Sequence, residues 1–184
     1  MNLTKIQKVK NHIDIKDKLL DLISNTPGEM YTSTSKTDLN YNITFSDWSV
    51  KKDHDYKKYY LEQIFPYFEN MQQFINCCKS VIHNVWFHQY NKHDFHDWHI
   101  HGGCHFASVY YLELPNKKYA TEFYDFENKK TIKYNMQEGD LIIFPSYIPH
   151  RAVKVLDEGR KTIISANYSL ELLDKKFYEE EINK

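Results

Sequence analysis

Gly139-Asp140-Leu141-Ile142-Ile143-Phe144-Pro145-Ser146-Tyr147-Ile148-Pro149-His150 reads as a turn, a buried strand, a bend and then a histidine. Both faces of Leu141–Phe144 are apolar, as in a strand covered on each side. Upstream of it the sequence has a period of two from Val81 onward. Short β-rich runs cover Val81–Tyr90, His99–His101, Ala107–Leu114, Glu122–Asp125 and Thr131–Tyr134. Downstream, Arg151–Val155 and Thr162–Tyr168 continue the series. Gly102-Gly103, Pro115-Asn116, Glu127-Asn128 and Glu138-Gly139 supply the turns between them. Eight short strands at this spacing predict a mainly β protein of the jelly-roll kind.

Residues 1–80 read differently. Ile15, Leu19, Leu22 and Ile23 recur at helical spacing within Thr4–Ser24, and Thr26-Pro27-Gly28 ends the run. Glu29–Thr37 is polar and reads as loop. A second helical region covers Tyr56–Lys79, with Pro66 as a break or kink and adjacent Cys77 and Cys78 inside it. The expectation is one domain over residues 1–184. Residues 1–80 give mostly helical support, 81–170 the β core and 171–184 a charged tail.

Seven of the ten histidines lie between His83 and His105. For His83, His88, His93 and His96 the plain reading is solvation or satisfied burial. His99 and His101 differ, because residues i and i+2 of a strand share a face. Two imidazoles projecting into one space suit iron, zinc, copper or nickel. Gly102-Gly103 gives the chain a sharp exit there. His150, at the end of the decisive stretch, supplies a third imidazole.

Among 24 Lys plus Arg residues only Arg151 and Arg160 are arginine. A chain that otherwise uses lysine places arginine where a planar fork can hold a carboxylate through two parallel hydrogen bonds. The competing reading is a surface ion pair of Arg160 with Asp157 or Glu158.

Together Trp98-His-Ile-His-Gly-Gly103, Val109-Tyr-Tyr-Leu112, Gly139–Arg151 and Gly159-Arg-Lys-Thr-Ile-Ile-Ser-Ala-Asn167 resemble the 2-oxoglutarate/Fe(II) dioxygenase superfamily. Within it, the likeness is to small phage and bacterial hydroxylases of the prolyl-hydroxylase-like group, and it runs from about Trp86 to Ser169. The resemblance implies a double-stranded β-helix, with His99 and His150 as Fe(II) ligands. It further implies Arg160, paired with Thr162, as the anchor of the 2-oxoglutarate carboxylate, and Tyr111 as a hydrogen-bonding partner of that co-substrate. The reaction implied is hydroxylation by O2 with decarboxylation of 2-oxoglutarate to succinate. One position departs from the pattern, because His101 stands where the superfamily has a carboxylate. Similar small hydroxylases carry the same H-x-H, so His101 stays in the ligand set, with Asp97, Glu113 and Glu122 as alternative carboxylates. Trp98, Phe106 and Tyr147 are candidate pocket walls, against ordinary core packing.

Two other classes compete. A cupin-type three-histidine metalloprotein without 2-oxoglutarate accounts for His101 but not for Arg160 and Thr162. A metal-poor binding module on the same barrel is the other, since a fold does not fix a function. A net charge of -1 and a pI near 6.8 provide no basic field for nucleic acid or anionic membrane. Three cysteines without a C-x-x-C pair and the lack of an apolar leader or span predict a cytoplasmic protein. The primary substrate, and whether the chain is a monomer or a homodimer, stay open on sequence alone.

Overall fold

The computed structural model describes residues 3–35, 39–50 and 52–182. Its β core contains β4 (Cys77–Tyr90), β5 (Phe95–His99), β6 (Phe106–Glu113), β7 (Glu122–Asp125), β8 (Lys130–Lys133), β9 (Asp140–Pro145), β10 (His150–Ala152) and β11 (Lys161–Leu173). Three further strands precede them, β1 (Lys5–Lys8), β2 (Glu29–Ser33) and β3 (Tyr41–Ser46). The strand order is β1-β9-β6-β11-β4-β3-β5-β10-β7-β8, with β2 on β3, and every pairing is antiparallel. This is a mainly β, double-stranded β-helix architecture. The wall β9-β6-β11-β4 faces the smaller wall β5-β10-β7.

Alternation along the larger wall sorts its side chains into two cores. Tyr110, Leu141, Ile143, Phe87, Ile164 and Ala166 point outward to the helices. Val109, Ile142, Phe144, Tyr90 and Ile163 point inward and meet Phe123 and Ala152 of the smaller wall. The outward face is covered by α1 (His12–Ser24), through Ile15, Leu19 and Ile23. It is also covered by α2 (Asp55–Phe74), through Tyr56, Tyr60, Ile64, Phe68 and Met71. Each set repeats at helical spacing, so one stripe of each helix is buried. A third helix, α3 (Lys175–Ile182), has no buried residue. No helix among the described residues is long and apolar enough to cross a membrane.

The N-terminal region departs from the helix-and-loop expectation at four places. Lys5–Lys8 is a strand added to the edge of β9, and Glu29–Ser33 is a strand on β3, not a loop. Pro66 sits inside α2 without ending it. Cys77 and Cys78 open β4 instead of closing the helix. Gly139 enters β9 at φ +84°, and a Cβ there would come within 2.8 Å of the His12 ring, so glycine is required on both counts.

Candidate metal centre

β5 and β10 lie side by side with His150 opposite His99 in the register. His101 lies two residues past His99, just beyond the end of β5, its amide held by the Ser146 carbonyl at 3.0 Å. The three side chains converge, each offering a ring nitrogen, and these atoms lie within 4.8 Å of one another. Ring centroids are 4.2 Å apart for His99–His150 and 5.0 Å for His101–His150.

The hydrogen bonds determine which nitrogen is free. His99 Nδ1 lies 2.7 Å from the Asp97 carbonyl and His150 Nδ1 3.0 Å from the Ile148 carbonyl. A carbonyl only accepts, so both Nδ1 atoms carry the proton and both Nε2 atoms keep a lone pair. His101 Nδ1 donates to Asn167 Oδ1 at 2.6 Å, leaving its Nε2 in the same state. Such outer contacts orient the histidine ligands of metal sites. Burial holds all three imidazoles neutral: it lowers His99 to about 4, lowers His101, and takes His150 well below the ordinary value. Three neutral imidazoles with free lone pairs fit a divalent transition metal.

The centre lies in a cavity of about 230 Å³ whose walls include Trp48, Trp86, Tyr90, Val109, Ile163 and Asn167. His88 and His96 also line it, although their sequence gave them the plain reading. His96 stacks on His99 at 3.9 Å between centroids. His88 accepts from Trp86 Nε1 at 2.9 Å and donates through Nδ1 to Ser46 Oγ at 2.8 Å. Burial lowers His88 to about 3. Only their placement on cavity-facing positions of β4 and β5 would have revealed them.

Lys161 is the other residue that sequence reasoning passed over. It is 0% exposed, and its Nζ has no hydrogen-bond partner among the described residues. The β11–β4 register pairs Lys161 with Tyr90, Ile163 with His88 and Ser165 with Trp86. All five of those neighbours line the cavity, so Lys161 lies on the same face. Its Nζ stands 5.0 Å from the centre of the Tyr90 ring. Burial lowers its ammonium to about 7.

The structure does not bring Arg160, Thr162 or Tyr111 to the cavity wall. Arg160 grips Glu113 with its fork, at 2.7 and 3.0 Å, and its side chain is 43% exposed. The fork binds a carboxylate, but one belonging to the protein. Thr162 points the same way and also bonds Glu113. Tyr111 is buried in the inward-facing core, where its hydroxyl contacts Oγ1 of the cavity-wall residue Thr121 and accepts from the Thr121 amide, both at 2.9 Å. The alternative carboxylates stay out as well. Glu113 holds Arg160, Glu122 holds Arg151 and Lys133, and the Asp97 carboxylate caps the Trp98 amide. Trp98, Phe106 and Tyr147 are not wall residues: Trp98 stacks under Arg151, Phe106 packs on the helix side, and Tyr147 is exposed.

Buried neutral histidines make the metal-free fold acid-sensitive. A folded pKa below the unfolded value means the unfolded chain binds more protons, so stability falls as pH drops below about 6.5. His99 and His88 should each remove up to about 1.4 kcal/mol per pH unit, until about 4 and about 3 respectively. Urea midpoints of the metal-free protein should fall steeply between pH 6.5 and 4. A flat profile would mean these rings are not buried neutral.

No protein-family model and no curated protein matches the sequence. Solved structures do share its fold. A Pseudomonas putida prolyl-4-hydroxylase has TM-score 0.62 and 11% identity, over 93% of this chain and 94% of that one. A 2OG-Fe(II) oxygenase-family oxidoreductase from Burkholderia pseudomallei has TM-score 0.67 and 12% identity, over 92% and 86%. A Trichoplax adhaerens prolyl hydroxylase, solved with a peptide fragment of the hypoxia-inducible-factor oxygen degradation domain, has TM-score 0.63 and 15% identity, over 100% and 88%. At such identities the likeness is one of fold, and the fold is that of the prolyl-hydroxylase-like 2-oxoglutarate/Fe(II) oxygenases.

Proposed function

We propose that this protein is an Fe(II)- and 2-oxoglutarate-dependent oxygenase that hydroxylates a substrate still to be identified. The observation that supports this best is a pairing of the metal cavity with a buried cation on the same face of β11. Three imidazoles with free Nε2 atoms lie in the cavity, and on the same face of β11, two residues before the wall residue Ile163, stands a buried lysine without a hydrogen-bond partner among the described residues. A metal and a cation set apart along one wall suit a small molecule with a chelating oxo acid at one end and a carboxylate at the other. 2-Oxoglutarate has that form, and the shared fold favours it.

In this reading His99, His101 and His150 hold Fe(II) through Nε2, and Lys161 Nζ takes the distal carboxylate in place of Arg160. Bound Fe(II) with 2-oxoglutarate supplies oxygen activation coupled to decarboxylation. The chain's own part is geometric and electrostatic. The Asp97 and Ile148 carbonyls and the Asn167 amide keep the ligand protons on Nδ1. Trp86, Val109 and Ile163 keep the cavity wall apolar, which strengthens the Lys161–carboxylate attraction. The Trp86–His88–Ser46 chain of hydrogen bonds fixes the Trp86 ring, which lies 5.6 Å from that of His101.

Adding Fe(II) and 2-oxoglutarate without oxygen should produce a visible metal-to-ligand charge-transfer band. Admitting oxygen should then yield succinate slowly even without a primary substrate. One observation favours a second reading, a cupin-type three-histidine centre without 2-oxoglutarate: among the described residues no carboxylate reaches the metal site. Metal binding with neither band nor succinate would put that reading first.

Position 101 carries its own expectation. His101→Asp should keep iron within about tenfold, because a carboxylate oxygen also binds divalent iron and the Asn167 amide can turn its N–H toward it. His101→Ala should lose more than tenfold, as a ligand disappears with nothing in its place. Iron content after desalting reads both variants. Wild-type retention in His101→Ala would remove His101 from the ligand set.

A further inference from the structure

A second hollow, a groove of about 610 Å³, adjoins the metal cavity. The two share three wall residues, Trp48, Trp86 and Asn167, which therefore form the boundary between them. On the groove side of this boundary, Lys52 and Asp53 are both exposed, and Lys57 is paired with the buried Asp47 at 3.1 Å. Their charges offset one another, so the groove carries no strong net sign.

Hydrogen-bonding capacity at the boundary is more selective. Trp86 Nε1 is committed to His88, so its ring presents only apolar surface. Trp48 is 46% exposed and adds a second aromatic wall. Asn167 differs from both. Its Oδ1 accepts from His101 Nδ1, which fixes the amide orientation and turns the Nδ2 group away from His101. Nδ2 has no hydrogen-bond partner among the described residues, and the residue borders both spaces.

We infer that Asn167 is a positioning and specificity residue with two faces. One face holds His101 in line, and the other donates from Nδ2 to a carbonyl or carboxylate oxygen of the primary substrate, whose body lies in the groove between Trp48 and Trp86. The substrate class is thus an oxygen acceptor flanked by apolar or planar surface. This rests on His101 serving the metal centre and gives the proposed oxygenase a means of placing its substrate. A donor on the residue that orients a ligand ties substrate position to the metal without a separate arm.

The two faces separate experimentally in Zn(II)-loaded protein, which is diamagnetic and needs no 2-oxoglutarate. The probes are N-methylacetamide for a neutral carbonyl and acetate for a carboxylate, read by the Asn167 side-chain 15N–1H signals. At least one probe should shift those signals saturably, and the one that does distinguishes a neutral from an anionic acceptor. Asn167→Asp keeps an oxygen for His101 and removes both N–H donors. Its Zn(II) affinity should stay within a few-fold of wild type or rise, while N-methylacetamide no longer perturbs the backbone signals of residues 84–86. Asn167→Leu removes both faces, so Zn(II) affinity should fall about 10- to 100-fold and probe binding should vanish. Unperturbed signals with both probes overturn the proposal, as do equal Zn(II) losses in the two variants. If Leu fails to fold, Asn167→Asp alone decides it, since probe binding that survives there excludes the Nδ2 contact. Failure here leaves the co-substrate assignment intact, and an absent charge-transfer band with normal probe shifts leaves this one intact.

Discussion

His150→Ala protein retains no metal after desalting, while the wild-type chain holds about one Fe(II), the stoichiometry of one mononuclear centre. That is the expected result, and the geometry says why it should be so complete. His150 stands opposite His99 in the wall that faces β4 and β11, and it is 4% exposed. Its ring is fixed by the Ile148 carbonyl and by edge contact with Phe144 at 4.7 Å. Loss of an outer hydrogen bond typically costs 10- to 100-fold in metal affinity, so loss of the ligand itself should exceed about 100-fold. Truncation also leaves a void beside Phe123 and Phe144, and a folding defect could imitate a binding defect. His150→Gln fills most of that space and lacks the imidazole lone pair. Both variants should melt cooperatively without metal and show no stabilisation on adding Fe(II), whereas wild type gains stability by mass action. Metal-dependent stabilisation of wild-type size in His150→Gln would take His150 out of the centre.

The sequence made the architecture readable wherever alternation was strong. β6, β7 and β9 lie where the period of two places them, because an interior face and a helix-covered face impose that period. The early strands were hidden for a physical reason. Lys5–Lys8 has a lysine at each end and an exposed Ile6, and neither it nor Glu29–Ser33 has a fully buried residue, so neither carries an apolar signal. The start of β4 was concealed by continuity, since Tyr67–Cys78 keeps a helical stripe past the true end of α2 at Phe74. At the centre, H-x-H and the stretch ending at His150 were legible, because local spacing and one strand pairing suffice to bring those rings together.

Arg160 and Lys161 show where that legibility ends. Adjacent residues in a strand point to opposite faces, so choosing between them requires the parity of β11. Lys161, Thr162, Ile163, Ile164, Ser165 and Ala166 are all buried, one face against the helices and the other against the cavity. No polar-apolar alternation reveals which residues face inward. Arginine was the better guess by chemistry, and its fork does hold a carboxylate, but the register gives the inward position to lysine.

Lys161 leads to the prediction with the most distinctive pair of outcomes. A buried ammonium without a hydrogen-bond partner destabilises a fold, because its hydration is lost and nothing replaces it. Lys161→Met keeps the length and the apolar stem and removes that charge, so the variant should be more stable than wild type, by about 1–3 kcal/mol. A lysine kept for structure would give the opposite sign. The same substitution should weaken 2-oxoglutarate binding about 100- to 1000-fold, as expected when one partner of a buried charge pair is removed. Fe(II) content should not change, since the imidazoles are untouched. Arg160→Lys, on the far face, should leave 2-oxoglutarate affinity within about twofold, reversing the order expected if Arg160 were the anchor. The wild-type pH dependence gives an independent reading. With the free ammonium lowered to about 7, the cation that binds the carboxylate is depleted above that pH. Affinity should therefore fall by up to about tenfold per unit as pH rises from 7, and Lys161→Met should show no such slope. Titrations monitored by the charge-transfer band measure all of these quantities. Normal affinity in Lys161→Met would exclude the lysine as the anchor, while lost affinity together with lost stability would make its role structural.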